Sequence, residues 1–372
     1  MQAAIVATLA ACASEPLPEP APRAPPPTPA AAGPRPVAST PTPLVRERAR
    51  WLAAPWSDLP GWEHDRSREL WPALQRGCER PAPAWSALCA DVRAAAPPDS
   101  DAAVRDWLMK RLQPYRVEAL DGATEGLATG YFEPLVAAAR ERSGAYRVPL
   151  HAPPPDLATR KPYWTRQQLE TLPAAMAAVR GREVAYVADP LDALALQVQG
   201  SGRLAIAGST QIVRLAFAGH NSEPYRSVGR WLIEQGELKA NEASWPAIKA
   251  WARLNPKRVD EMLWSNPRVV FFREEPLPDP SVGPRGAAGV PLTPGRSIAV
   301  DPLSIPYGTP VWLDTTEPLS TQPLRRLAMA QDTGGAITGA VRADYFWGWG
   351  EAAEVQAGRM KQPLRLWVLW PR

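Results

Sequence analysis

The sequence predicts an α+β fold that is mainly β, with two β-rich regions behind a helical N-terminal portion. Residues 46–120 carry apolar positions at helical spacing, short strand-like runs broken by Gly and Pro begin at Gly122, and helical spacing returns between residues 227 and 264. Many short strands with Gly/Pro turns favour barrels, because closing a sheet removes its exposed edges. A length of 372 residues fits two domains, and an apolar share of 45% is enough for sizeable cores.

The chain opens on Met1–Ala11, which is apolar and small and ends Leu9-Ala10-Ala11-Cys12. This resembles the lipobox of bacterial lipoproteins and makes Cys12 a candidate lipidation site, with residues 1–11 as the remnant of a signal peptide. The run is short and has no positively charged leading segment, as expected if the true start lies upstream. The alternative is a chance match in an Ala-rich chain. A bilayer span needs about 20 apolar residues, and no run here is long enough, so attachment to a membrane would be through lipid. Residues 13–45 hold 12 prolines with Ala, Ser and Thr. Residues 12–45 are therefore expected to be an extended, disordered tether.

The folded part starts with helices. Asp58-Leu59-Pro60-Gly61-Trp62 reads as a turn, Trp71–Gly77 and Ala102–Leu112 as helices, and Asp99, Ser100 and Asp101 as candidate caps for the second. Cys78 and Cys89 flank a Pro-rich turn, and such a pair in an exported protein reads as a local disulfide; the alternative is two separate buried thiols. Strands follow at Gly126–Tyr131, Tyr146–Leu150, Val184–Val187, Ala193–Gln199, Arg203–Ala207 and Thr210–Phe217. Helices are expected at Ser227–Gln235, Trp245–Asn255 and Pro256–Trp264. Strands resume at Val269–Arg273, Ser297–Val300, Pro310–Leu313, Leu324–Gln331 and Leu364–Leu369.

Composition narrows the chemistry. A net charge of +4 is too mild to argue for nucleic acid, and three histidines argue against a multi-His metal site. There is no Gly-x-Ser-x-Gly elbow, Ser-x-x-Lys, His-Glu-x-x-His or phosphate loop, and Gly200-Ser201-Gly202 is not a nucleophile elbow. Carboxylates remain. Asp301 ends the run Ser297–Val300, Asp332 ends Leu324–Gln331 ahead of Gly334-Gly335, and Asp344 sits in Arg342-Ala343-Asp344-Tyr345-Phe346. Carboxylates are rare at apolar strand ends unless paired or functional. If the chain folds back after Asp332, that residue and Asp344 come close, each raises the other's pKa, and a protonated carboxyl can donate to a glycosidic oxygen. The alternative is three aspartates that cap turns.

Residues 122–372 resemble the MltA family of membrane-bound lytic murein transglycosylases. The resemblance rests on Gly130-Tyr131-Phe132-Glu133-Pro134, Leu196 to Arg203, Tyr225 to Arg230, Asn266 to Phe272, Gly286 to Pro294, Ser297 to Asp301, Asp332 to Gly339 and Asp344 to Gly350. It implies a double-psi β-barrel domain, with N-terminal helices, made of residues 46–135 and 266–372. A smaller β-barrel domain, residues 136–265, is inserted into it, and a glycan-binding groove lies between the two. It implies Asp344 as the catalytic residue, with Asp332 and Asp301 supporting. The reaction implied is non-hydrolytic cleavage of the β-1,4 bond between N-acetylmuramic acid and N-acetylglucosamine of peptidoglycan. It leaves a 1,6-anhydro end and needs no metal or cofactor. Tyr131 and Glu133 on a Gly-flanked strand end, and Gln199, Ser201 and Arg203 in a Gly-rich stretch, are candidate substrate-binding residues. Trp347 and Trp349 lie near Asp344 and are read mainly as core. A hydrolytic muramidase using both Asp332 and Asp344, and a non-catalytic peptidoglycan-binding module, are the alternatives. A monomer is expected at the periplasmic face of the outer membrane, with peptidoglycan strands and other cell-wall enzymes as partners. Ala13 after Cys12 resembles outer-membrane sorting.

Overall fold

The computed structural model describes residues 42–240 and 242–372. The chain begins with β1 (Leu44–Val45), β2 (Arg50–Ala53), α1 (Trp71–Gly77), α2 (Ser86–Ala94), α3 (Asp101–Arg111), β3 (Leu112–Glu118) and β4 (Gly126–Glu133). Next come β5 (Leu135–Ala139), β6 (Val148–His151), α4 (Arg166–Thr171), α5 (Pro173–Val179), β7 (Glu183–Val187), α6 (Pro190–Gln199), β8 (Gly202–Ile206) and β9 (Ile212–His220). Then follow α7 (Val228–Glu234), α8 (Trp245–Leu254), α9 (Val259–Trp264) and β10 (Val270–Glu275). The last elements are β11 (Ser297–Val300), β12 (Pro310–Thr316), β13 (Pro323–Asp332), β14 (Arg342–Trp349), α10 (Glu351–Ala357) and β15 (Lys361–Pro371).

Six strands close on themselves in the ring β15-β12-β13-β11-β14-β4, back to β15. The 11-residue β15 makes closure possible. Its first residues, Lys361–Leu364, pair with β4, its middle with β12, and its end with β3, which carries β2 and β1 beyond it. Period-two alternation sorts β12 cleanly. Val311 and Leu313 enter the barrel core with Val300, Ala328 and Val368, whereas Trp312 faces a second core built by α1, α2 and α3. In that second core Trp71, Leu74 and Leu108 cover Leu327 and Trp367, and Cys78 is disulfide-bonded to Cys89. Ser100 caps α3 by accepting from the Ala103 N–H at 3.1 Å.

The second sheet runs β10-β9-β8-β5-β7-β6, and its end strands β10 and β6 approach one another, so it is a nearly closed six-stranded barrel. Helices α6 to α9 pack beside it around Leu194, Leu232, Trp251 and Leu263. The chain crosses from the first body to the second between Glu133 and Leu135 and returns after Glu275.

Several expectations change. Ala193–Gln199 is not a strand but the body of α6. Its apolar alternation is outweighed by the Asp189 side chain accepting from the Leu191 N–H at 2.8 Å, by Pro190 in the first turn, and by Gly200 at φ 76° closing the end. The helix also buries two sides, Leu191 and Leu194 toward the helical cluster, Ala193 and Leu196 toward the second barrel. The helical reading of residues 46–120 overlooks β2 and β3. The second body does not end at residue 265, because Val270–Glu275 pairs with β9 rather than with the first barrel. The segment assigned to the tether includes β1, which pairs with β2. Cys12 and residues up to 41 lie outside the described residues.

Candidate active site

Between the two bodies lies a groove of about 850 Å³. Its floor is built by β11. All four residues of that strand are buried, and it runs between β13, to which it is parallel, and β14, to which it is antiparallel. The register sets Ala299 opposite Asp332 on one side and opposite Asp344 on the other. Two interstrand steps separate the aspartate backbones by about 9–10 Å. The methyl group between them leaves the space open, and all three residues line the groove. Next to β14, parallel β4 sets Thr129 opposite Asp344, and Tyr131 follows two residues later.

The two carboxyls are held differently. Asp332 has both oxygens engaged. Its Oδ1 accepts from the Ala287 N–H at 2.9 Å and its Oδ2 from the Tyr131 hydroxyl at 3.0 Å. Burial lifts its pKa to about 6, against the pull of those donors and of the Thr333 N–H, and the nearby Asp344 charge adds to the rise. Asp344 accepts at Oδ1 from the Thr129 hydroxyl, which itself accepts from Arg342 Nη2 at 2.8 Å. Its Oδ2 accepts no hydrogen bond from the described residues. Burial raises the Asp344 pKa, opposed by the Thr129 hydroxyl and the Arg342 charge. Tyr131 is pushed well above its ordinary value by burial and by both aspartates, so it stays a neutral donor.

The loop that reaches Asp332 depends on a glycine. A Cβ on Gly286 would lie 2.4 Å from the Gln331 carbonyl oxygen, so only glycine lets this backbone close on the end of β13 and aim the Ala287 N–H. Asp301 lies beneath the opposite loop. It is buried, accepts from the Leu303 N–H at 3.0 Å and the Gly339 N–H at 2.8 Å, and pairs with Arg48 at 3.1 Å. It thereby anchors the segment that joins Asp332 to Asp344.

The other candidates divide. Tyr131, Gln199 and Ser201 line the groove, and Gln199 Oε1 accepts from the Phe132 N–H at 3.1 Å, tying the end of α6 to β4. Glu133 and Arg203 do not line it. Glu133 is fully buried, and its carboxylate takes Arg203 Nε at 2.7 Å and Arg214 Nε at 2.6 Å. Arg203 also donates to the Pro280 carbonyl at 2.8 Å and stacks 4.2 Å from the Trp349 ring. This cluster fastens both crossings between the bodies rather than meeting a ligand. Trp347 packs against Tyr345 in the first barrel. The sequence reading missed Thr129, Ala299 and the role of Arg342. Thr129 was signalled by its position two residues before Tyr131 on one strand face.

Residues 127–273 match the family profile described as the MltA specific insert domain, and residues 296–370 match the 3D domain. The chain is 31% identical over 286 residues to membrane-bound lytic murein transglycosylase A of Escherichia coli (strain K12), covering 72% of this chain and 74% of that protein. This chain belongs to the MltA family. Among solved structures, the family fold recurs in the lytic transglycosylase LtgG of Burkholderia pseudomallei, at 45% identity and a TM-score of 0.60, covering 87% of this chain and 95% of that one. It recurs in E. coli MltA with bound chitohexaose, at 27% identity and a TM-score of 0.62, covering 85% and 89% of the two chains. Among the described residues, no helix is long and apolar enough to cross a membrane.

Proposed function

We propose that this MltA-family enzyme, a peptidoglycan lytic transglycosylase, breaks the β-1,4 bond between N-acetylmuramic acid and N-acetylglucosamine without water, with Asp344 as acid and then base. One observation carries the assignment of roles. Asp344 has a carboxyl oxygen with no protein partner among the described residues, whereas both oxygens of Asp332 are engaged. A group that must donate a proton and take one back needs a free oxygen facing substrate. The match to E. coli MltA, whose structure holds chitohexaose, supports a glycan strand in the groove.

In this reading Asp344 enters the reaction protonated, the form that its burial favours. The proton passes to the bridging oxygen as the bond to the anomeric carbon breaks, and N-acetylglucosamine leaves with a free hydroxyl. The muramoyl ring carries positive charge at that moment. Asp332, with a pKa of about 6, is mostly ionised at neutral pH and opposes that charge from across Ala299. The Asp344 carboxylate then takes the proton of the ring's own C6 hydroxyl, whose oxygen bonds to the anomeric carbon. The 1,6-anhydro end forms and Asp344 is again protonated. An intramolecular hydroxyl arrives already positioned, so no second carboxylate is needed to activate water.

Asp344→Asn tests the assignment. The variant should release soluble fragments from purified sacculi at least 100-fold more slowly, the low end for losing a general acid, while still binding sacculi. Retained full activity would overturn it. We further propose Cys12 as a lipid attachment point at the periplasmic face of the outer membrane, in keeping with the membrane-bound relatives. Incorporation of labelled lipid that disappears on Cys12→Ala, measured in cells that process lipoproteins, tests this.

A further inference from the structure

The groove holds more positive charge than its aspartates account for. Arg342 sits beside Asp344, and Arg273 pairs with Glu275 at 2.6 Å. Arg80, Arg268 and Arg285 line the same groove and form no ion pair among the described residues. Arg268 reaches in from the second body. A Cβ on Gly335 would lie 3.4 Å from its Nη1, so the guanidinium rests against the turn that follows Asp332. Its protein acceptor is the Glu223 carbonyl at 3.3 Å, and burial lowers its pKa. Arg80 and Arg285 line the groove from the first body. Arg285 Nη1 donates to the Gly289 carbonyl at 2.9 Å, and a Cβ on Gly289 would lie 3.2 Å from Arg80 Nη1. Arg285 belongs to the loop whose Ala287 N–H holds Asp332, and Arg80 reaches that loop from the segment between α1 and α2. Arg268 is half-buried there without a counter-charge, a cost an arriving anion repays, whereas Arg80 and Arg285 are exposed and add positive charge at the groove.

The N-acetylated sugar chain itself is neutral. The anionic groups of a murein strand sit on the 3-O-lactyl arm of the muramoyl residue, as its own carboxylate or as those of the peptide it bears. Resting on the function proposed above, we infer that Arg268, with Arg80 and Arg285, binds a carboxylate of that arm. The charged substituent beside the scissile bond is then a specificity element of this enzyme.

The test compares kcat/KM on three substrates of matched chain length. They are peptide-bearing strands, strands stripped to the free lactyl carboxylate, and stripped strands whose lactyl carboxylate is capped as the neutral methylamide. The wild type should cleave at least one carboxylate-bearing substrate roughly tenfold faster than the neutral one, and that advantage should shrink as salt is raised. A preference for the first substrate alone locates the anion in the peptide, a preference for the second alone locates it at the lactyl carboxylate, and a preference shared by both means that either carboxylate fills the site. In Arg268→Gln the ratio of charged to neutral substrate should fall toward one, with Arg268→Lys between. The loop variant Arg285→Gln supplies an independent arm should Arg268→Gln fold poorly. Equal cleavage of all three substrates by the wild type, or an unchanged ratio in both glutamine variants, overturns the inference while leaving the proposed reaction standing. Failure to cleave any of the three removes both.

Discussion

Asp332 and Asp344 stand opposite the same residue, Ala299, one on each neighbouring strand. Ala299 is 3% exposed, and its methyl group lines the groove between the two carboxyl positions. Ala299→Val should therefore narrow the space where the reacting sugar sits. We expect kcat to fall more than tenfold, with a stability cost of about 1–3 kcal/mol for overpacking. Steady-state kinetics with a parallel thermal melt checks this, and a lost kcat alongside a folded protein is the expected pair of results.

Thr129 controls the proton affinity of Asp344. Its hydroxyl stabilises the carboxylate, so removing it raises the Asp344 pKa. If the first step needs protonated Asp344, activity declines as pH rises through that pKa. Thr129→Val should move this alkaline limb to higher pH and lower kcat by about tenfold through loss of orientation. Thr129→Ser, which keeps the hydroxyl, should restore both the limb and the rate.

Asp332 makes the fold pH-sensitive in the direction opposite to a salt-bridged acid. Its pKa is lifted from the ordinary 3.8 to about 6, so the folded state binds the proton more tightly than the unfolded chain. Its stabilising contribution is complete below about pH 4 and is lost as pH rises through about 6. Asp332→Asn should be more stable than wild type at pH 7.5 by about 1–2 kcal/mol, discounted from about 3 for water in the groove. The advantage should vanish below pH 4. Urea melts of both proteins across pH measure it.

Glu133 answers two buried guanidiniums, Arg203 and Arg214, at 5% and 6% side-chain exposure. Glu133→Gln keeps the volume and removes the charge, leaving both arginines unbalanced where the chain crosses between the barrels. A destabilisation of about 3–5 kcal/mol is expected. Differential scanning calorimetry checks it, and a melting temperature equal to wild type would contradict the structural role.

The β-rich character, the disulfide-prone spacing of Cys78 and Cys89, and the positions of most strands were legible because each rests on local pattern. What was not legible depends on long-range pairing. Ala193–Gln199 alternates as a strand would, yet the cap at Asp189 and burial on two sides make it α6. From the sequence, Asp332 and Asp344 come close if the chain folds back after Asp332. In the fold β11 separates them, an arrangement no spacing within residues 332–344 could reveal. Glu133 and Arg203 looked like open polar groups because their partnership spans 70 positions and is completed by Arg214. Tyr131, a candidate by its place on a Gly-flanked strand end, lines the groove and donates to Asp332.

In the proposed reaction one carboxyl, Asp344, serves both steps and water takes no part. Digesting purified sacculi in heavy-oxygen water and weighing the fragments by mass spectrometry tests it most directly. Muramoyl ends lighter by one water than reducing ends, and free of the label, are the expected product. Reducing ends carrying heavy oxygen at the anomeric carbon would contradict it and assign Asp332 and Asp344 to hydrolysis instead.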